Sequence, residues 1–290
     1  MTAILLVLPE KYYPVTPNSK TGMKKQNKTE VSLFMRSDSP KYLDSISSES
    51  GDLFESIGHH GPAVENEWIA LRLYFNYKTS IDLYSKSKPG LELREARWYP
   101  TPEQQRNGWG ADYYIVGETV GLGGVRLWDG NDVQLLNPVT KRTAIVVKKS
   151  SFSYMEMISE GVPFKGKTVD VKVRVTVYSG KRNAKVEAFA LTDSSVQFVT
   201  GLNYHVGIEV VEKKGMIMTW GIHPEDVAAD LNAVGAAIIF NPDDFLMKKD
   251  DGKQFLLVSK PTKHLKTIIS SANARENEIN TMEKFLKILE

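Results

Sequence analysis

The residues of this chain best suited to chemistry crowd between His59 and Trp128. They begin with an adjacent pair, His59 and His60, in Gly58-His-His-Gly-Pro-Ala-Val-Glu-Asn-Glu-Trp68. Histidine is the side chain whose ordinary pKa suits proton transfer near neutral pH. Neighbours in an extended segment point to opposite sides, so one of the pair serves any given site; a surface loop is the competing reading. Next comes Trp68-Ile-Ala-Leu-Arg-Leu-Tyr-Phe75. Alternation puts Ile69, Leu71, Leu73 and Phe75 on one apolar face and Trp68, Ala70, Arg72 and Tyr74 on the other. Aromatic rings stack on the C–H faces of sugars, and a guanidinium grips a carboxylate through a two-pronged fork. That second face therefore suits an acidic carbohydrate, or equally a solvated outer face carrying a chance aromatic pair.

A second group runs through Trp98-Tyr99-Pro100, Asn107-Gly-Trp-Gly-Ala-Asp-Tyr-Tyr114 and Gly117–Gly130, and holds three of the chain's five tryptophans, Trp98, Trp109 and Trp128. Asp112, Tyr113 and Tyr114 supply a carboxylate and two phenols, while Arg126 and Trp128 alternate to one face opposite Val125 and Leu127. Gly121-Leu-Gly-Gly124 lacks the G-x-G-x-x-G spacing and no helical pattern follows it, which excludes a dinucleotide fingerprint. Glycines inside strands allow close backbone approach, either for tight packing around a buried tryptophan or beneath a ligand. Further on, Leu202-Asn-Tyr-His-Val-Gly-Ile208 reads as a strand with Asn203 and His205 opposite its apolar residues, in a cleft or on an outer face. His223, before a proline, and His264, among lysines, read as surface residues. Glu65, Glu67, Asp112 and Asp129 carry oxygen ligands suited to calcium, but with no diagnostic spacing. No strong metal motif and no G-x-S-x-G nucleophile motif occurs, so no cofactor is expected.

The elements that must position these residues read as strands. Val169-Asp-Val-Lys-Val-Arg-Val-Thr-Val177 places valine at every odd position and a polar residue at every even one. Similar segments cover 30–35, 80–84, 144–149, 153–159, 185–190, 202–211, 216–220, 236–241 and 253–260, separated by turns such as Lys88-Pro-Gly90 and Asp250-Asp-Gly252. This predicts an all-β sandwich or barrel. Apolar spacing at Ile279, Met282, Phe285, Leu286 and Leu289 predicts a C-terminal helix over 277–289, and Pro224–Asp230 a short helical turn. Residues 1–28 read as a loop or extended arm, with Ala3–Leu8 a further strand candidate. With no repeat and no strong linker, one domain is expected.

The totals bound the function without naming it. A net charge of +2 argues against a nucleic-acid partner, and no apolar run approaches a membrane helix. The absence of cysteine removes disulfides, thiolate metal sites and a cysteine nucleophile.

Three stretches, taken in order, carry a resemblance: Trp68–Tyr74, Asp112–Gly130, and Tyr204–Ile208 with Met218-Thr-Trp220. Together they resemble the bacterial domain-of-unknown-function family 4861, found in polysaccharide-utilisation gene clusters. The resemblance implies a large antiparallel β-sandwich of the mutarotase and polysaccharide-lyase type. It also implies the activity of a family member similar to an ulvan oligosaccharide dehydratase, which removes water from a non-reducing-end uronate to leave a 4,5-unsaturated sugar. A uronate-containing oligosaccharide is then the partner, and the bacterial periplasm the expected location, with the cytoplasm open because no signal peptide is visible. On that reading Arg72 or Arg126 clamps the carboxylate, His59 or His60 is the base with His205 as alternative, and Tyr74, Tyr113 or Tyr114 the acid. Trp68, Trp98, Trp109, Asp112, Tyr113, Arg126 and Trp128 would contact substrate. A lyase that cleaves the chain, an epimerase or mutarotase, and a non-catalytic binding module remain the rivals.

Overall fold

The structure is a computed structural model and describes residues 28–37, 41–97, 99–225 and 228–290. The valine-alternating segment forms the strand Lys167–Tyr178, in which all five odd-numbered valines are buried. Each such side chain contributes about 1.5 kcal/mol or more by leaving water. Antiparallel partners flank it on both sides, Phe152–Phe164 and Ala184–Ala190. They belong to a nine-stranded sheet ordered Glu209–Lys213, Met216–Ile222, Ala233–Ile239, His264–Asn273, Ala184–Ala190, Lys167–Tyr178, Phe152–Phe164, Lys141–Lys148, Ser45–Ser48.

Two smaller antiparallel sheets complete the sandwich. One has four strands in the order Thr29–Ser32, Ala63–Asn66, Ala70–Leu73, Ile81–Tyr84. The other has five, ordered Phe245–Asp250, Gln254–Ser259, Phe198–Asn203, Arg126–Trp128, Val133–Gln134. Leu71, Leu73, Phe198 and Leu202 from these sheets share one core with Val171, Val173, Val175 and Ile269 of the large sheet. The glycine run joins the two small sheets edge to edge. Leu122 donates to the Ile81 carbonyl (2.8 Å) and Gly123 to the Gly201 carbonyl (2.8 Å). A Cβ on Gly121, whose φ is +68°, would stand 2.0 Å from the Ile81 oxygen, and one on Gly123 2.9 Å from Ile269 across the core. The run is thus used for close packing.

The C-terminal helix spans Met282–Leu289, starting later than the apolar spacing suggests because the Thr281 hydroxyl caps it by accepting from the Lys284 amide. Phe285 is buried against Met218, Trp220, Ala237 and Ala272, on the face of the large sheet turned away from the main core. Two short helices, Leu93–Ala96 and Pro102–Arg106, were not expected. The second opens on a capping box, Thr101 with Gln104, and a proline in its first turn, a start signal legible in Thr-Pro-Glu-Gln. The expected helical turn 224–230 is not helical where described, and the expected arm lies outside the described residues apart from Lys28. The strand expected over 202–211 breaks in two at Tyr204, and Val206 stands fully exposed in the turn between.

Candidate active site

The segment that follows the strand Ile81–Tyr84 covers the non-core face of Ala70–Leu73 through Leu93, which packs with Ala63, Ala70 and Tyr84, and through Tyr99 and Asp112 at Arg72, so Arg72 is buried. Antiparallel register sets Arg72 directly across from Asp82. The two form an ion pair, and Asp112 closes on the same guanidinium at 2.5 Å. Arg72 is 1% exposed and Asp82 0%. Burial opposes the guanidinium charge, but Asp112 and Asp82 overcome it and hold the Arg72 pKa well above its ordinary value. The Tyr74 hydroxyl donates to Asp82 at 2.7 Å. Burial, reinforced by the Asp82 charge, raises the Tyr74 pKa, so the phenol keeps its proton. Beside this group, Glu65 accepts from Lys86 (2.5 Å) and from the Glu92 and Leu93 amides, while Glu92 accepts from Tyr84 (2.8 Å) and the Gly110 amide (2.9 Å). These contacts fasten the covering segment to the sheet.

His60 stands next to the end of the same strand, where its carbonyl accepts from the Phe75 amide (2.8 Å). Its ring stacks on Phe54 at 3.9 Å and meets the edge of Tyr74 at 6.0 Å. The Phe54 carbonyl lies 3.0 Å from Nδ1 and can only accept, so Nδ1 carries the proton in the neutral ring. Nε2 then accepts from the Tyr99 hydroxyl at 3.2 Å. Burial lowers the His60 pKa, the Phe54 bond opposes the shift, and Arg72 adds to it. His59 and His60 both sit at φ +58° in a single turn, a left-handed conformation costly for residues with a Cβ. The turn sends the two rings apart. His59 is buried, bonded to Ser32 (3.0 Å) and edge-on to Phe34, and burial pushes its pKa to about 3. Lys78 completes the surroundings, its ammonium 6.0 Å from the Phe54 ring centre and 5.9 Å from that of Tyr74.

A second polar group gathers around the backbone of Ile115. Its carbonyl accepts from Asn203 (2.7 Å) and His205 (3.0 Å), and its amide donates to Nδ1 of His223 (3.1 Å). His223 is therefore a buried residue, contrary to the surface position its proline suggested; it packs between Tyr114 (4.6 Å) and His205 (4.8 Å). Burial takes its pKa down to about 3. Tyr114 is buried, with its hydroxyl 3.4 Å from the Asn203 carbonyl, and burial raises its pKa. His264 is exposed and stacks on Phe189.

The structure thus brings together Arg72, Tyr74, Asp112 and His60, and adds Asp82, Tyr99 and Lys78. Asp82 was missed, although it stands as a lone charge in the apolar strand Ile-Asp-Leu-Tyr84; Tyr99 and Lys78 depend on loop geometry. Other expected residues stand elsewhere. Trp68 lies under the Arg182 guanidinium (4.6 Å), and Tyr113 accepts from Arg275 (3.0 Å). Trp109 is half-buried beyond the second short helix, and Trp98 lies outside the described residues. Arg126 donates to the Glu118 and Thr119 carbonyls (2.8 and 2.9 Å). Trp128 packs with Val120, Val199 and Leu256 under the Lys249 ammonium. Glu65, Glu67, Asp112 and Asp129 do not converge: Glu67 accepts from the Gly180 amide, and Asp129 caps its own turn. Among the described residues no three His, Asp or Glu side chains form a metal-holding group.

A sandwich with a buried polar face over one small sheet, edged by a histidine and two tyrosines, defines the class of the molecule. The chain belongs to the family described as Domain of unknown function (DUF4861), whose model matches residues 10–290. Among solved structures it is similar to a putative aldose 1-epimerase from Klebsiella pneumoniae, at 9% identity and a TM-score of 0.42 over 90% of this chain and 95% of that one. It is also similar to 4-alpha-glucanotransferase from Thermococcus litoralis, at 11% identity and a TM-score of 0.37 over 73% of this chain. Heparan sulfate lyase HepC from Pedobacter heparinus matches at 10% identity and a TM-score of 0.35 over 82% of this chain. The chain spans 39% of the glucanotransferase and 38% of the lyase. No curated protein matches the sequence.

Proposed function

We propose that this chain is a carbohydrate-active enzyme that eliminates water from a non-reducing-end uronate of an oligosaccharide, leaving a 4,5-unsaturated sugar. The observation that carries the reading is the pairing of a neutral, tautomer-fixed His60 with two tyrosine hydroxyls, one bonded to its Nε2 and the other held by a buried carboxylate. Elimination needs a base for the C5 proton, an acid for the C4 hydroxyl and a cation for the sugar carboxylate. The substrate displaces the Tyr99 hydroxyl from His60 Nε2; Nε2 then takes the C5 proton, the C5–H electron pair becomes the C4=C5 bond, and the C4–O bond breaks. The departing hydroxyl takes the Tyr74 proton and leaves as water, and proton exchange with solvent restores both groups. Arg72, already matched by Asp82 and Asp112, is a positioning residue that holds those carboxylates against Tyr74. Lys78, whose ammonium lies 5.9 Å from the Tyr74 ring and pairs with the exposed Glu118 at 3.3 Å, is the cation assigned to the sugar carboxylate, which would take the place of Glu118. A general acid or base of this kind contributes about 10²–10⁴-fold.

The test follows the ultraviolet absorbance of the conjugated product during incubation with uronate oligosaccharides. Rising absorbance at unchanged chain length supports dehydration. Rising absorbance with shortening chains replaces the reading with a lyase. Flat absorbance despite measurable binding replaces it with an isomerase or a binding module.

A further inference from the structure

A cleft of about 510 Å³ opens beside Ser87 and Lys88, away from His60, with Arg106, Asp230 and Arg275 among its walls. That volume is within the range of small-ligand sites. Its charges do not cancel. Lys88, Arg106 and Arg275 face one carboxylate, Asp230, which is already bonded to Arg275 at 3.1 Å. Lys88 reaches the Asn107 carbonyl (3.0 Å) and pairs with no carboxylate among the described residues. A narrower cleft of about 190 Å³ shares Ser87 and Lys88 and extends to Trp68, Glu276 and Glu278. Glu276 is bonded to Arg182 at both carboxylate oxygens, and Trp68 is half-buried below the same guanidinium. Ser87 joins the two clefts. It is 8% exposed, lines both clefts, and its hydroxyl is buried with no hydrogen-bond partner among the described residues. An unpartnered hydroxyl in a cleft wall is satisfied by a polar occupant that reaches it.

We infer that the two clefts form a binding site for an acidic sugar unit, with its anion among Lys88, Arg106 and Arg275 and its ring toward Trp68 and Ser87. The inference rests on the proposed carbohydrate function for its ligand class, and extends it to residues the elimination does not use. The helix Pro102–Arg106 links the two places: Tyr99, beside His60, precedes it and Arg106 ends it. The anion is either a carboxylate or a sulfate ester, which share the chemistry of cation pairing.

Calorimetric titration of the full chain separates these sources. The probes are a galacturonate tetrasaccharide with carboxylates alone, a sulfated galactose tetrasaccharide with sulfate esters alone, and neutral cellotetraose. At least one acidic probe is expected to bind about tenfold or more tighter than the neutral one, weakening as salt rises. Lys88→Glu and Arg106→Glu, both on exposed side chains, should each weaken that binding about tenfold, and Trp68→Ala should weaken it further. Lys88→Gln, which changes charge without reversing it, should fall between. Equal affinity for acidic and neutral probes, no binding of either acidic probe, or unchanged affinity in the two charge-reversed variants overturns the inference. Acidic binding that is lost in these variants, in a chain that never produces the unsaturated sugar, keeps this site and removes the elimination.

Discussion

Two arginines occupy equivalent-looking places and behave oppositely. Arg72 and Arg126 each sit on the non-core side of a short strand, and both are nearly buried, at 1% and 7% exposure. Arg72 is enclosed by two carboxylates, which overcome burial and raise its pKa. Arg126 is held by two backbone carbonyls, and burial lowers its pKa despite the more distant Glu118. Arg142, bonded to the carbonyls of Gly51, Asn76 and Leu136, follows Arg126, pushed down to about 10 by burial. Alternation told which side of the sheet each side chain takes. What waits on that side, a charge or a dipole, decides whether the arginine organises a polar site or pins a loop.

The contrast can be broken most forcefully at Arg72. Arg72→Met strands Asp82 and Asp112 together in a buried setting and should cost about 3–5 kcal/mol of stability in urea unfolding. Restoring neutrality with Asp82→Asn and Asp112→Asn in the same chain should recover part of that loss; no recovery would mean that shape rather than charge dominates. Arg126→Met strands no charge, and the Thr119 carbonyl it releases keeps the Ser80 hydroxyl, so a loss of about 1.5–3 kcal/mol, the worth of the one bond to the Glu118 carbonyl, is expected. An equal or larger loss than at Arg72 would reverse the comparison.

The buried histidines sharpen it at smaller scale, since they are ionisable groups kept without charge. His59 and His223 have pKa values near 3 in the folded chain against 6.5 when unfolded. Between those limits the unfolded state binds the extra proton, so stability falls as pH drops from 6.5 towards 3. Each contributes a slope of about 1.4 kcal/mol per pH unit. Substituting His223→Gln should make the stability curve shallower by that amount within this window and leave its slope above pH 6.5 unchanged. An unaltered slope would mean that His223 takes up its proton in the fold.

Much of the sandwich was legible because one-sided burial leaves period-two patterns, as in Lys167–Tyr178. The strand His264–Asn273 escaped because its last five residues are all buried, with Ser270, Ser271 and Asn273 among them, under a sheet covered on both faces. The break at Tyr204 escaped because Tyr204-His-Val-Gly continues the apolar alternation while leaving the sheet, so His205 came to Ile115 from a turn. At the site, Arg72 and Tyr74 were visible on one face. Their partner Asp82 required the register of two strands, which no local pattern encodes. The histidine pair was separated as anticipated, but by a left-handed turn in place of extended backbone.

The proposed elimination turns on a neutral His60 that removes the C5 proton of a uronate. The direct measurement is the initial rate of unsaturated-sugar formation from a uronate oligosaccharide by the native chain and by His60→Ala, across pH 5 to 8. The native rate should hold to below the ordinary histidine pKa as pH falls, because burial lowers that of His60, and His60→Ala should lose about 10²–10⁴-fold at every pH. Full turnover by His60→Ala would contradict it.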